Sequence, residues 1–471
     1  MNFFIKDISF NPKLVILYSF GIVFATLISP LSIYLSIGLL IGALSYLYLG
    51  RNLIVVAILL SYLVLVSDIV SGFRTVINLV SSVALLVLVL NKHGLRISAY
   101  PRPNYLLLIQ LVFLLFLMIV STFYSGYYME GFSAFTKTII FLLIVYMFFI
   151  LIDGEKVITL YLNGLIASSI IIALATIYDG FFSANKFIDI ATGTYNRNAG
   201  FISNINASSI FFIISIPILL YNYFDVSRWS KFLYLSAIIL LSMALVISMS
   251  RASILSTLAT SLAILFLRRR IWFYYLSVFI TLTILFLISF PFFNDLFTLL
   301  FRLEEGLSQR DTMWQLTVSM IRDNWLLGVG PGSYTNVMFN YIPIMLESWG
   351  GLVLKELFEV AKGGNLAHNF YLSYWSELGL FGFIISISIP ILFFQFAFKN
   401  YKYWYNKNRK ISSTVLMFAI IGVGVFIRSF FEGINILTFG WITMDLPFWL
   451  IYISLLYFDE QSRNMTISHE N

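Results

Sequence analysis

The chain has 471 residues, of which 60% are hydrophobic and 11% charged, with a net charge of +7 and a mean hydropathy of +0.92. A soluble domain carries about 25% charge, so these values exclude one, and the apolar runs are too long for strands. The pattern is that of an all-α polytopic membrane protein; the absence of cysteine rules out disulfides and thiolate metal sites, and basic residues scattered through short loops exclude a nucleic-acid partner.

Met1 to Lys13 is polar, with Lys6 and Lys13, and no small-residue cleavage site follows the first apolar run, which reads as an uncleaved span. A span needs about 17–25 apolar residues. The apolar runs are Leu14–Ile28, Leu31–Leu49, Leu53–Val66, Val76–Leu90, Tyr105–Phe123, Thr138–Ile152, Val157–Tyr178, Ala207–Phe224, Phe232–Met249, Ala252–Leu267, Ile271–Phe290, Phe370–Phe398, Ile411–Ile427 and Ile434–Tyr457. Several are short enough to fuse or re-enter, so 12–14 transmembrane helices are expected. With a cytoplasmic N-terminus, most of the 29 Lys and Arg fall in cytoplasmic loops. Both termini are then cytoplasmic, and one large loop, 291–368, is extracytoplasmic. The chain divides into an N-terminal transmembrane bundle (1–180), a region holding the polar motifs (181–460) and a disordered cytoplasmic tail (461–471).

The same alternation leaves Arg197, Arg251, Arg310 and Arg428 on the outer side, where arginine should be scarce. Arg197 lies in Tyr195-Asn196-Arg197-Asn198-Ala199-Gly200, with Asn204 and Asn206 next, a composition suited to irregular backbone shaped to bind. Arg251 stands between two apolar runs, flanked by Ser248, Ser250 and Ser253; a guanidinium at a membrane boundary is costly unless it meets an anion or a carboxylate. In the large loop Ser308 and Asp311 form a capping box, and Met313, Trp314, Thr317, Met320 and Ile321 share one face of a helix ending near Trp325. A turn at Gly328, Gly330, Pro331 and Gly332 follows, then a second amphipathic stretch, Ile344–Val360.

His368 and Asn369 mark the point where this loop re-enters the membrane. His368 is the one of three histidines placed for proton transfer at a membrane face. Glu377 is an intramembrane carboxylate on the same helix, and Gly379 and Gly382, one turn apart, would admit a neighbouring backbone. Arginine forks match phosphate oxygens and histidine can take a proton, so the inventory describes an enzyme handling a phosphorylated substrate at the outer leaflet. No cluster has metal-ligand spacing, and neither a metal nor another cofactor is expected.

The His-Asn-x9-Gly-x-x-Gly run at 368–382, the Arg-x3-Leu at 251–255, and Arg310 with Trp314 leading to Gly328-Val329-Gly330-Pro331-Gly332 together resemble the bacterial O-antigen ligase and O-antigen polymerase superfamily. The resemblance spans roughly Ala191 to Phe383; the first 180 residues agree only in being hydrophobic. It makes 181–460 the catalytic region, and implies an inverting, metal-independent glycosyltransferase. The donor would be an undecaprenyl-diphosphate-linked glycan and the acceptor a glycan or lipid A-core hydroxyl. Carried over by motif, His368 and Arg251 are catalytic and Arg197, Arg251 and Arg310 bind the lipid diphosphate; Asn369, Glu377, Gly379, Gly382 and Arg428 are candidates for supporting them. Ligase and polymerase stay open as alternatives, and a transporter or flippase of lipid-linked oligosaccharide is the competing reading.

Overall fold

The computed structural model describes residues 54–65, 74–94, 101, 104–183, 187–189, 194–198, 200, 202, 204–289, 310–341 and 367–470. The expected spans Leu14–Ile28 and Leu31–Leu49, the capping residue Ser308 and the stretch Ile344–Val360 lie outside these.

A helical segment, Ile54–Val64, closes in a π-turn at Ser61–Leu65. Thirteen α-helices follow: α1 (Arg74–His93), α2 (Tyr105–Ser125), α3 (Tyr128–Leu151), α4 (Glu155–Phe182), α5 (Ile205–Tyr223), α6 (Arg228–Ile247), α7 (Arg251–Arg268), α8 (Arg270–Ser289), α9 (Arg310–Asp323), α10 (Tyr334–Met338), α11 (Phe370–Trp404), α12 (Arg409–Ser429) and α13 (Ile442–Glu470). Among the described residues, nine helices are long and apolar enough to cross a membrane. The protein is an all-α polytopic membrane protein; among the described residues the one strand pairing is that of Ile188–Asp189 with Thr194–Tyr195, antiparallel.

Three boundaries depart from the sequence reading. Helix α3 begins at Tyr128 rather than Thr138, because its polar first turns pack against the segment 310–341: Asn336 donates to Glu130 at 2.8 Å. Helix α13 begins at Ile442 rather than Ile434, since Asn435, Phe439 and Gly440 all have positive φ and cannot lie in a helix. It then continues to Glu470, so the tail expected to be disordered is helical.

Helix α13 is buried along its whole membrane-length window. Lipid tails are as apolar as the core, so packing rather than water exclusion must hold it there. Phe448 sits 5.5 Å from Phe393 of α11 and 5.4 Å from Phe426 of α12, with Tyr452 5.4 Å from Phe393. Ring pairs of this kind contribute about 0.5–1.5 kcal/mol each beyond area burial. On the outside, α2 exposes Val112 and Phe116 and α6 exposes Phe232 and Leu233, as a lipid-facing surface requires. Small residues bring the site-bearing helices together: Gly424 of α12 lies against Thr260 of α7, where a Cβ would come within 2.5 Å of the threonine methyl.

Candidate active site

Helices α5, α7, α9 and α11 start around a single cavity of about 150 Å³. It is lined by Arg197, Asn206, Ser250, Arg251, Arg310 and His368, with Met249 in the wall. Each helix start carries partial positive charge, with the first amides of α5 and α11 capped by Asn204 and Asn369, and Arg251 and Arg310 occupy the first helical residues of α7 and α9. A cation at that end is electrostatically disfavoured. Four positive helix ends and three guanidinium groups on one cavity make a field that an anion relieves.

Local chemistry explains the placement. The short strand pair delivers Arg197, whose Nε donates to the Ser248 carbonyl at 3.3 Å and whose Nη2 donates to Asn206 Oδ1 at 3.1 Å. Met249, with φ of 48°, breaks α6 from α7 and lets Ser250 serve as the N-terminal flanking residue of Arg251. His368 has a similar φ of 47°. Left-handed backbone at a residue other than glycine costs about 1–3 kcal/mol, and it persists here at two residues of the cavity wall.

Asn369 caps α11: its Oδ1 accepts from the amides of Tyr371 and Leu372, both at 3.0 Å. Its Nδ2 donates to the Phe430 carbonyl at 3.0 Å, tying the start of α11 to the loop after α12. That loop supplies Glu432, a buried residue absent from the sequence reading. One Glu432 oxygen accepts from Arg310, and the other lies 3.4 Å from His368 Nδ1. A carboxylate there makes Nδ1 the donor and leaves Nε2 with its lone pair for a substrate proton. Burial pushes the Glu432 carboxyl up, but the His368 hydrogen bond and the charges of Arg310 and Arg428 outweigh it and hold the group below its ordinary value. Trp314 packs against Phe431 beside it, rings 6.4 Å apart.

Arg428 does not line the cavity. It is buried one layer beneath, donating from Nε to Ser253 at 2.9 Å and from its terminal nitrogens to the Asn435 side chain and the Asn206 carbonyl. It therefore joins α5, α7 and the 430–441 loop under the floor of the site.

Glu377 also lies outside the cavity lining, and its partners are main-chain amides rather than an arginine. Oε1 accepts from Tyr334 N at 3.1 Å. The glycine turn is clamped to this part of α11: Val329 N donates to Ser376 O at 2.9 Å, Gly330 N to Glu377 O at 3.0 Å, and Leu380 N to Trp325 O at 2.8 Å. The helix gives way at Gly379, with φ of 67° and ψ of −161°. A Cβ at Gly379 would fall 2.1 Å from the Leu326 carbonyl oxygen. Gly379 therefore admits a neighbouring backbone, but at a kink and not on the regular helical face expected from the spacing of the two glycines, and Gly382 has no neighbouring segment among its closest contacts. Gly382 is crowded by its own helix, 2.4 Å from Tyr374 O and Leu378 Cβ in the same construction. The loop helix α9 buries Met313, Thr317, Met320 and Ile321 of the expected face together with Leu316, while Trp314 of that face is only half-buried, and it ends at Asp323 rather than near Trp325.

Among the described residues no three His, Cys, Asp or Glu side chains gather as a metal-binding group. The positive charge comes from side chains and helix ends. Fold and site together define a polytopic helical membrane protein with an anion-adapted cavity at one end of its bundle, holding one histidine. Residues 236–387 match the model of the O-antigen ligase family. That match supports the O-antigen ligase and polymerase superfamily, and with it membrane glycan processing of the ligase or polymerase type. The matched stretch contains Arg251, Arg310, His368, Asn369, Glu377, Gly379 and Gly382, and leaves out Arg197, Arg428 and Glu432. No curated protein matches the chain.

Proposed function

We propose that the protein transfers an undecaprenyl-diphosphate-linked glycan to a sugar hydroxyl at the extracytoplasmic face of the bacterial inner membrane, as a polymerase or ligase of surface polysaccharide. The reading rests on the convergence of Arg197, Arg251, Arg310 and His368 on one cavity at four helix N-termini. The arginines and helix ends bind the lipid diphosphate and stabilise the negative charge that builds on it as it leaves. His368 Nε2 takes the proton of the acceptor hydroxyl, whose oxygen attacks the anomeric carbon from the face opposite the diphosphate. The new C–O bond forms as the bond to phosphate breaks, the electron pair departs with the diphosphate, and the anomeric configuration inverts. The step calls for no metal or cofactor. Lysine and arginine asymmetry supports cytoplasmic termini and an outward-facing cavity.

The test is an in vitro assay of purified protein with undecaprenyl-diphosphate-linked repeat units, with chelator present, with and without a lipid A-core acceptor. A glycan ladder without acceptor identifies a polymerase, and single transfer only with acceptor identifies a ligase. Lipid translocation without transfer would replace the enzyme by a flippase.

A further inference from the structure

Asn206 is the second residue of α5 and lines the cavity beside Arg197 and Ser250. Its carboxamide orientation is fixed by chemistry. Arg197 Nη2, which can only donate, lies 3.1 Å from one terminal atom, and the Ser250 hydroxyl lies 3.2 Å from the same atom, so that atom is the oxygen. The Asn206 main-chain carbonyl accepts from Arg428 and, at 2.8 Å, from Ser209 Oγ, which anchors the residue to the buried layer below. The Nδ2 hydrogens have no partner among the described residues. A half-buried amide whose oxygen is used twice and whose two donors are unspent presents those donors to whatever fills the cavity.

We infer that Asn206 is a substrate-binding residue that donates from Nδ2 to a phosphoryl oxygen of the lipid diphosphate while its Oδ1 holds the Arg197 guanidinium in place. The inference rests on the diphosphate reading above. One side chain thus couples two contacts: a neutral donor to the anion, and the aim of a charged donor next to it. Glutamine would carry both poles on a longer stem, serine could not reach both, and aspartate would keep the acceptor for Arg197 while turning the donor into a second anionic oxygen.

The experiment measures binding of undecaprenyl diphosphate, with undecaprenol as reference, to full-length wild type, N206D and N206S in detergent, alongside thermal unfolding of each. Wild type should prefer the diphosphate. N206D should weaken it about 10- to 100-fold, the loss of a donor to a charged group plus repulsion, with little change for undecaprenol. In turnover the donor KM should rise more than kcat falls. Wild-type diphosphate affinity in a folded N206D overturns the inference. If N206D does not fold, N206S decides: the same weakening upholds the role and unchanged affinity removes it. Equal binding of the diphosphate and the alcohol by wild type would instead overturn the parent reading, separating the two failures.

Discussion

Glu432 Oε2 lies 3.4 Å from His368 Nδ1 while Glu432 Oε1 accepts from Arg310, so one buried carboxylate orients the histidine and one arginine of the cavity. The sequence separates Glu432 from His368 by a whole membrane hairpin, and the Asn369 bond to the Phe430 carbonyl brings them together. Replacing Glu432 by Gln keeps the shape and removes the charge that stabilises the imidazolium formed during proton transfer. E432Q should lower kcat by about 10- to 100-fold, less than the roughly 100- to 10,000-fold that a general base contributes, because the base itself stays in place. Wild-type kcat in a folded E432Q would show that His368 needs no carboxylate.

The same residue predicts a pH dependence of stability. Its carboxyl is held below its ordinary value, because partner bonds and charges outweigh the opposing effect of burial. A depressed carboxylate contributes stability that is fully present above its unfolded pKa of about 4.3 and lost as pH falls through the lower folded value. Thermal unfolding of wild type should therefore drop on acidification below about pH 4.3, and E432Q should lack that component. Parallel melting curves for the two proteins across the acid range would count against the assignment.

Arg428→Ala tests whether the layer beneath the cavity is structural. The guanidinium is buried and serves Ser253, Asn435 and the Asn206 carbonyl, so truncation takes a donor from each of the three and strips Glu432 of a compensating charge. Breaking a buried charged network of this kind costs about 3–5 kcal/mol. R428A should unfold at markedly lower temperature or fail to insert, whereas R251A, on the cavity wall, should melt near wild type. Similar melting of both variants would move Arg428 out of its structural role.

Much of this site was legible in the sequence, and the part that was not has a physical cause. Arg197, Arg251 and Arg310 stood out because arginine on the outer side of a topology is anomalous, and His368 because it is the one histidine placed at a membrane face. Glu432 gave only the weak signal of a lone acid in Phe430-Phe431-Glu432-Gly433, since its meaning depends on partners far along the chain. Asn206 was visible as one of several asparagines, but its role turns on which atom faces Arg197. Hydropathy also misplaced the start of α13, because Ile434, Ile436 and Leu437 are buried and apolar without being helical. The kink at Gly379 escaped for the same reason: spacing reports a face, not the dihedral angles.

That kink yields a prediction about Gly379→Ala. The residue has φ of 67°, and an added methyl would overlap the Leu326 carbonyl. Left-handed strain costs about 1–3 kcal/mol and the overlap about as much again, since backbone on both sides must shift. The shift would also loosen the clamp of Gly330 N on Glu377 O, which sets the direction of α11 as it leaves His368. G379A should lose both thermal stability and transfer activity, in contrast to H368A, which should lose transfer with the fold intact. A G379A protein with normal melting and activity would show that the clamp is dispensable.

Arg251 separates charge from geometry. It begins α7, where a cation gains nothing from the helix and is useful only against an anion. Arg251→Ala removes the charge and the fork together and should weaken undecaprenyl diphosphate binding by about 10- to 100-fold, the worth of one charged hydrogen-bonding group. Arg251→Lys keeps the charge as a single point and loses the planar pair of donors, so its affinity should fall between wild type and R251A. The order wild type, Lys, Ala measured at one salt concentration is the signature of a fork on a phosphate. If Lys matches Ala, geometry alone carries the contact; if all three bind alike, the diphosphate lies elsewhere and the cavity has been misassigned.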